Sequence, residues 1–316
     1  MNILITGANG FVGRHLVARL CGELTDSASI TGADVRFDQA PLDSRLRLVH
    51  GSLAAPATLE ETFDRLYDLV FHLATVPGGW AEADFEAGMQ INLMLTIRIL
   101  EALRERGNKP IFVYTSSIGV FGSLREAVND VTPPQPTWSY GTHKAIGELL
   151  VADYTRKQFV DGRTVRLPAI VARGGDPSGA ISAFMSDLIR LLANGKAMTC
   201  PVSKQAVCWW MSRGCAVDNI LLASQLPGEC FPAGKAFTLP ALRCSIEEIV
   251  ESLGRLTCID TASLVTYQPV ASVEERFGKL PPLHVPHAEA AGFRHDGTVD
   301  LLVERALEGL KEDGHV

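Results

Sequence analysis

Short runs of branched and apolar residues alternate with longer helical stretches through the first half of the chain. The runs are NILIT (2–6), SITGA (29–33), LRLVH (46–50), DLVFHLA (68–74), IFVYTSS (111–117) and RTVRLPA (163–169). Several hold too few polar positions for one face to meet water, so they predict strands buried on both faces. Strands of that kind separated by helices make a parallel sheet covered on both sides.

In INLMLTIRI (91–99) the apolar residues fall on every odd position, which taken alone describes a strand. From Met89 to Arg106, however, there is no glycine or proline, and the run ends LEALRERG with a glycine stop at Gly107. The expectation is a helix that is apolar nearly all round. Such a helix is buried once by its own sheet and once by something else, and a subunit partner is the natural candidate. After about residue 170 the alternation weakens, and glycines and prolines punctuate RGGDPSG (173–179), LPGECFPAGK (226–235) and KLPPLHVPH (279–287). The expected organisation is a first domain over 1–170, to which later segments return, and a smaller lobe over 171–316 laid on the carboxyl edge of the sheet.

Composition narrows the function classes. With 316 residues, 47% hydrophobic and 21% charged, the chain reads as soluble and globular. A net charge of −7 and the lack of any dense basic run argue against nucleic acid as a partner. MNILITGANG enters a strand at once, with no basic leader, and no stretch of 18 apolar residues follows, so no membrane segment is expected and the cytoplasm is the expected compartment. Seven cysteines without a CxxC pair fit reduced, mostly buried thiols.

The first chemical motif is GANGFVG, with glycines at 7, 10 and 13 between the first strand and a helix. Gly7 permits the tight turn, Gly10 lets a pyrophosphate approach the backbone, and Gly13 lets the helix pack on the strand. The helix start at Phe11 and Val12 offers amides and positive partial charge to phosphates. Asp34 lies 21 residues beyond Gly13, where a carboxylate accepts hydrogen bonds from an adenosine ribose and repels a 2′-phosphate. NAD is therefore favoured, although Arg36 keeps NADP open. The fold class that follows is α/β, a Rossmann-type doubly wound parallel sheet with a smaller C-terminal substrate-binding lobe.

The second motif is SYGTHK (139–144). On a helix, Tyr140 and Lys144 share a face, so both can point at one ligand. A tyrosine titrating near 10 is a poor base at pH 7, but a nearby ammonium favours its phenolate. Ser117, at the end of the fifth strand, can hydrogen-bond a reacting oxygen, and carboxyl ends of strands are where such folds place their chemistry.

Together GANGFVG, TSSIGVFG (115–122) and YGTHK (140–144) resemble the extended short-chain dehydrogenase/reductase family, with HLA (72–74), INLMLT (91–96) and AAGF (290–293) in support. The resemblance implies Tyr140 as general base, Lys144 on the nicotinamide ribose, and Ser117 orienting the substrate hydroxyl. It also implies cofactor contacts at Ser52, Leu53, Leu73, Ala74 and Asn92. Ser52-Leu53 stands where the family usually carries an aspartate and an aliphatic residue, so the adenine contact there is weaker or rearranged. RLPAIVARGG (166–175) replaces the asparagine-containing stretch of the epimerases, which counts against a nucleotide sugar.

Within the family, ADFEAGMQINL (83–93) and the stretch from Gly147 to Ser182 resemble dehydrogenases that oxidise a four-carbon sugar acid to its 2-keto acid. A sugar acid needs a counter-charge for its carboxylate, and a guanidinium suits it best because its fork can bind both oxygens. Arg173 is the first choice, an ordinary loop arginine being the alternative, and Arg213 and Lys204 are weaker candidates. Thr75, in TVPGGW (75–80), is a further substrate candidate, although this loop's glycines can equally serve only to turn the chain. His143 is expected at the surface. His284 and His287 do not make a metal site, since the intervening proline breaks a shared helix face. Trp138, Trp209 and Trp210 fit either lobe packing or pocket walls. The resemblance also implies a homodimer through the helices near 89–106 and 139–157. Two alternatives stay open: a nucleotide-sugar epimerase or dehydratase with tightly bound NAD, and a non-catalytic NAD-sensing regulator.

Overall fold

The structure, a computed structural model, describes residues 1–38, 42–123, 126–174, 182–231 and 236–316. GDPSG of the segment after residue 173 and PAGK of the segment ending at 235 lie outside the described residues. The elements run β1 (Asn2–Thr6), α1 (Phe11–Glu23), β2 (Ser29–Asp34), β3 (Leu46–His50), α2 (Pro56–Thr62), β4 (Leu69–His72), α3 (Gly78–Ala83) and α4 (Phe85–Gly88). A π-helical stretch (Met89–Met94) leads into α5 (Leu95–Arg106), followed by β5 (Ile111–Ser117), β6 (Val128–Asn129), α6 (Ser139–Arg156), β7 (Asp161–Leu167) and β8 (Ala169–Val171). Then come α7 (Ala183–Ala193), β9 (Met198–Cys200), β10 (Val207–Ser212), α8 (Arg213–Gln225), β11 (Phe237–Thr238), β12 (Leu242–Ser245) and α9 (Ile246–Thr257).

The chain forms two compact units. The first holds Met1–Val120, Pro136–Arg166 and Ile220–Phe237, and the second holds Phe121–Gln135, Leu167–Asn219 and Thr238–Val316. The chain visits the second unit at 121–135 and returns to the first at 220–237. The return has a simple cause: β11 pairs at the edge of the main sheet beside β7.

That sheet has seven strands in the order β11-β7-β5-β4-β1-β2-β3. β1 pairs in parallel with β2 and β4, β2 with β3, and β4 with β5. Residues Ile3, Leu4 and Ile5 are consecutive and fully buried, as are Phe112, Val113 and Tyr114, so both faces of the central strands are covered. The strand order reverses between β1 and β4, which opens a crevice at their carboxyl ends.

Residues 89–106 are helical despite their odd-position pattern. Asn92, Leu93, Leu95, Thr96, Ile99, Leu100 and Leu103 are buried, a spacing of three and four, while Ile91, Met94 and Ile97 are only half-buried. Gly107 ends the helix at φ 72°, its amide returning to Leu103 O at 3.2 Å.

In the second unit, β10 pairs antiparallel with β12 and parallel with β8. Trp209 and Trp210 are fully buried, their indoles donating to Pro281 O at 2.9 Å and Cys244 O at 3.1 Å, so both are core residues. Four of the seven cysteines are buried free thiols. No helix among the described residues is long and apolar enough to cross a membrane.

Candidate active site

The turn after β1 is built around missing side chains. Gly7 has φ 72°, and a Cβ there would lie 2.8 Å from the Ala74 amide nitrogen. A Cβ on Gly13 would sit 2.0 Å from Gly7 O, and one on Gly10 at 3.1 Å from the same oxygen. The first turn of α1, with Phe11 and Val12, is thereby pressed onto the loop. No side chain caps it at Gly10, which leaves the positive end of the helix for a ligand.

Asp34 closes the far side of this loop. Its carboxylate accepts from Asn9 N at 2.8 Å and Val35 N at 2.7 Å, and burial raises its pKa against those bonds. The Arg36 amide also bonds this carboxylate, and of its about four acceptor positions one is left for a ribose hydroxyl. Cβ atoms at Gly7 and Gly13 would collide with the backbone of Ala74 and Gly7, so the tight turn and the close seating of α1 require glycine there, and the uncapped start of α1 and the Asp34 carboxylate are the groups that would hold a dinucleotide. Arg36 Nε lies 3.6 Å from the Asp38 carboxylate, so this cation already has an acidic partner. Ser52 Oγ accepts from Ala54 N at 3.3 Å, and Leu53 is buried in the core.

The carboxyl ends of β1 and β4 are tied through one histidine. Thr96 Oγ1 donates to Asn92 O at 3.2 Å, which leaves it to accept from His72 Nε2 at 2.9 Å. His72 Nδ1 then accepts from Thr6 Oγ1 at 2.7 Å, and Thr6 Oγ1 accepts in turn from Ala74 N at 3.3 Å. Burial pulls the pKa of His72 down to about 3, with the Lys144 charge adding to the effect, so the ring stays neutral. Leu73 N bonds Thr6 O at 3.1 Å. Asn92 is 1% exposed: its Oδ1 accepts from Thr75 Oγ1 and Val76 N, both at 2.8 Å, and its Nδ2 donates to Val76 O at 3.1 Å. Its side chain therefore clips the loop after β4.

Ser117 ends β5, and Tyr140 and Lys144 stand in the first turns of α6. Ser117 Oγ accepts from Gly119 N at 3.0 Å. Lys144 is 2% exposed, donates from Nζ to Thr115 O at 2.9 Å, and lies 5.0 Å from the Tyr114 ring centre and 5.8 Å from that of Tyr140. Burial pulls its pKa down to about 7, opposed by the Glu148 carboxylate. Gly147 permits the approach of α6 to β5, because a Cβ there would be 2.2 Å from the Tyr114 hydroxyl.

Beneath the trio lies an ion pair that no sequence motif announced. Arg166 donates to Glu148 at 2.9 and 2.7 Å, both side chains being buried, and Ser116 Oγ donates to the same carboxylate at 2.5 Å. Glu148 lies four residues beyond Lys144, so the helical spacing was visible, but its partner on β7 was not. Glu148→Gln or Arg166→Met is expected to cost about 3–5 kcal/mol in urea unfolding, because each leaves an uncompensated buried charge or donor. A double-mutant cycle should show strong coupling between the two sites.

Three expectations need correction or refinement. His143 is 2% exposed instead of lying at the surface, since α3 and α4 pack over that side of α6 and Phe85 sits 6.3 Å away. Arg213 is buried and pairs with Asp313 at 2.7 Å and Glu312 at 2.8 Å, so it anchors the last helix, Val299–Glu312. Lys204 pairs with Glu247 at 3.0 Å on the surface. Arg173 stands two residues past β8 in the second unit.

The model of the NAD dependent epimerase/dehydratase family matches residues 3–210, which include the glycine turn, the Ser117 strand end and the Tyr140–Lys144 helix. The chain belongs to that family. It is 38% identical over 318 residues to the D-erythronate dehydrogenase of Cupriavidus necator, covering 98% of each chain. It is 32% identical over 315 residues to the D-erythronate dehydrogenase of Haemophilus influenzae, covering 98% of this chain and 99% of that one. Among solved structures, the nucleoside-diphosphate-sugar epimerase from Agrobacterium tumefaciens superposes with a TM-score of 0.89 at 31% identity, over 100% of this chain and 95% of its own. The fold is thus the α/β fold of family members, and the chain is an enzyme of the family.

Proposed function

We propose that the chain is an NAD-dependent dehydrogenase that oxidises a small sugar acid, D-erythronate or a close relative, to its 2-keto acid. The observation that carries this reading is the buried Lys144, whose Nζ donates to Thr115 O at 2.9 Å, two residues before Ser117, and lies 5.8 Å from the Tyr140 ring centre. The two D-erythronate dehydrogenases that match over nearly the full length support the substrate class.

Bound NAD would supply the acceptor for the hydride leaving the hydroxyl-bearing carbon. Tyr140 takes the hydroxyl proton as a phenolate. Lys144 stabilises that phenolate, and since burial costs the ammonium its solvation, each of the two charges favours the other. Ser117, whose Oγ accepts from Gly119 N, uses its own hydrogen to hold the substrate oxygen. Thr75 is proposed beside Ser117, and Arg173 as the guanidinium for the substrate carboxylate. A second copy of the chain is the proposed partner, through the half-buried Ile91, Met94 and Ile97 and the exposed Leu149 on α6.

With D-erythronate deuterated at C2, the label should appear in the reduced cofactor and a 2-keto acid should accumulate. A second reading, a nucleotide-sugar epimerase, is favoured by the name of the Agrobacterium tumefaciens structure; conversion of a UDP-sugar without release of reduced cofactor would establish it instead. An NAD-sensing regulator would need no proton acceptor, and the intact trio speaks against it. Gly13→Ala is expected to weaken NAD binding about ten- to a hundredfold, since overpacking costs about 1–3 kcal/mol and its Cβ would meet Gly7 O at 2.0 Å. Calorimetric titration with NAD measures this directly.

A further inference from the structure

Trp138 has no part in the proton and hydride chemistry above, yet the loops around the reacting groups are shaped to its ring. A Cβ on Gly78 would lie 2.2 Å from Trp138 Cζ3, one on Gly119 would lie 3.2 Å from its Cζ2, and one on Gly141 would lie 3.0 Å from its Nε1. Those glycines belong to three different segments: the start of α3, the 3-10 turn after β5 and the start of α6. The indole Nε1 donates to Gly119 O at 3.1 Å, and the amide of the same Gly119 donates to Ser117 Oγ at 3.0 Å. On its other side the ring lies 5.5 Å from that of Tyr140. The next residue, Ser139, donates its amide to the Glu82 carboxylate of α3, a second tie between α3 and the start of α6.

We propose that Trp138 is a positioning residue: its indole sets the spacing between Ser117 and Tyr140 by clamping the Gly119 peptide and the start of α3 at Gly78 against the first turn of α6. The polar atoms of Gly119 carry the link, its carbonyl held by the indole and its amide by the serine. The ring leaves no room for a side chain at Gly78 and crowds one at Gly119, and at Gly141 the Gly119 carbonyl that the indole holds is 2.2 Å from where a Cβ would stand. Without the indole, the 117–121 segment loses the bond that fixes it and the apolar surface on which it rests. Ser117 then wanders from the geometry in which it and Tyr140 act on one oxygen.

This inference rests on the dehydrogenase reading for its kinetic test, and on the structure alone for a second test. Trp138→Leu removes both ring and donor, and Trp138→Phe keeps a ring without the donor. With the sugar acid as substrate, kcat is expected to fall about tenfold in Trp138→Phe and about a hundredfold in Trp138→Leu, since misplacement by about 1 Å costs that much. KM for the acid and the NAD Kd should stay within about twofold, because the clamp acts on groups that matter in the transition state and not on the glycine cradle. Hydrogen exchange supplies the second readout. Peptides covering 117–121 should exchange faster in both variants, and those covering 7–13 should not. Unchanged kcat together with unchanged exchange at 117–121 would overturn the proposal, as would a loss of NAD affinity that parallels the loss of turnover. If the wild type oxidises no sugar acid while exchange at 117–121 still rises in the variants, the substrate assignment fails and the clamp stands.

Discussion

Tyr140→Phe should bind NAD as the wild type does and turn over about 10²–10⁴-fold more slowly, the usual contribution of a positioned general base. The substitution removes one oxygen from a half-buried ring and leaves its packing on Trp138, 5.5 Å away, in place. The glycine turn and Asp34 belong to other elements, the β1–α1 turn and the end of β2. The effect therefore belongs in kcat, with the acid's KM little changed, and stopped-flow turnover beside calorimetric NAD titration separates the two. Equal losses of NAD affinity and turnover would mean that Tyr140 holds the cofactor and does not take the proton.

Lys144→Met should combine loss of activity with a gain in stability. The ammonium is fully buried, and burial holds its pKa at about 7 against an ordinary 10.5. A base with a lowered folded pKa carries its full penalty below pH 7, and the penalty fades as pH rises from about 7 towards 10.5, because the unfolded chain then holds the extra proton. At pH 6 the variant should thus be more stable by about 2 kcal/mol, after discounting the lost bond to Thr115 O, and the difference should shrink by pH 9.5. Turnover should fall at least about a hundredfold across the same range, since the phenolate of Tyr140 loses its neighbouring cation. Urea unfolding at the two pH values checks the sign. A variant less stable than the wild type at pH 6 would show that Lys144 is held in place by favourable bonds and is not a strained charge retained for function.

The parts of this site that local pattern could reveal are those fixed by residues close in sequence. NILIT, LRLVH and IFVYTSS form strands with the same limits as their apolar runs. The glycine turn was legible because backbone geometry needs those glycines at that spacing. The helix over 89–106 was legible from its glycine stop in spite of its alternating pattern, which a π-helical stretch helps to reconcile with the buried set from Asn92 to Leu103.

What stayed hidden depends on partners far along the chain. Glu148 finds Arg166 on β7, and Arg213 finds Glu312 and Asp313 on the last helix. His143 is buried only because two short helices fold over α6. β11, two residues long, joins a sheet whose other strands all precede residue 170, and no periodicity can be read from two residues. Trp138 announced itself only as an aromatic before the tyrosine; its meaning lies in Gly78, Gly119 and Gly141, which no spacing connects.

The most direct measurement is absorbance at 340 nm when purified protein is mixed with NAD and D-erythronate, run beside other C4 to C6 aldonic acids and UDP-sugars. The expected result is a steady rise with D-erythronate or a close relative and none with the UDP-sugars. No rise with any acid, together with conversion of a UDP-sugar while NAD stays bound, would contradict the dehydrogenase reading and leave the same fold performing an epimerase's chemistry.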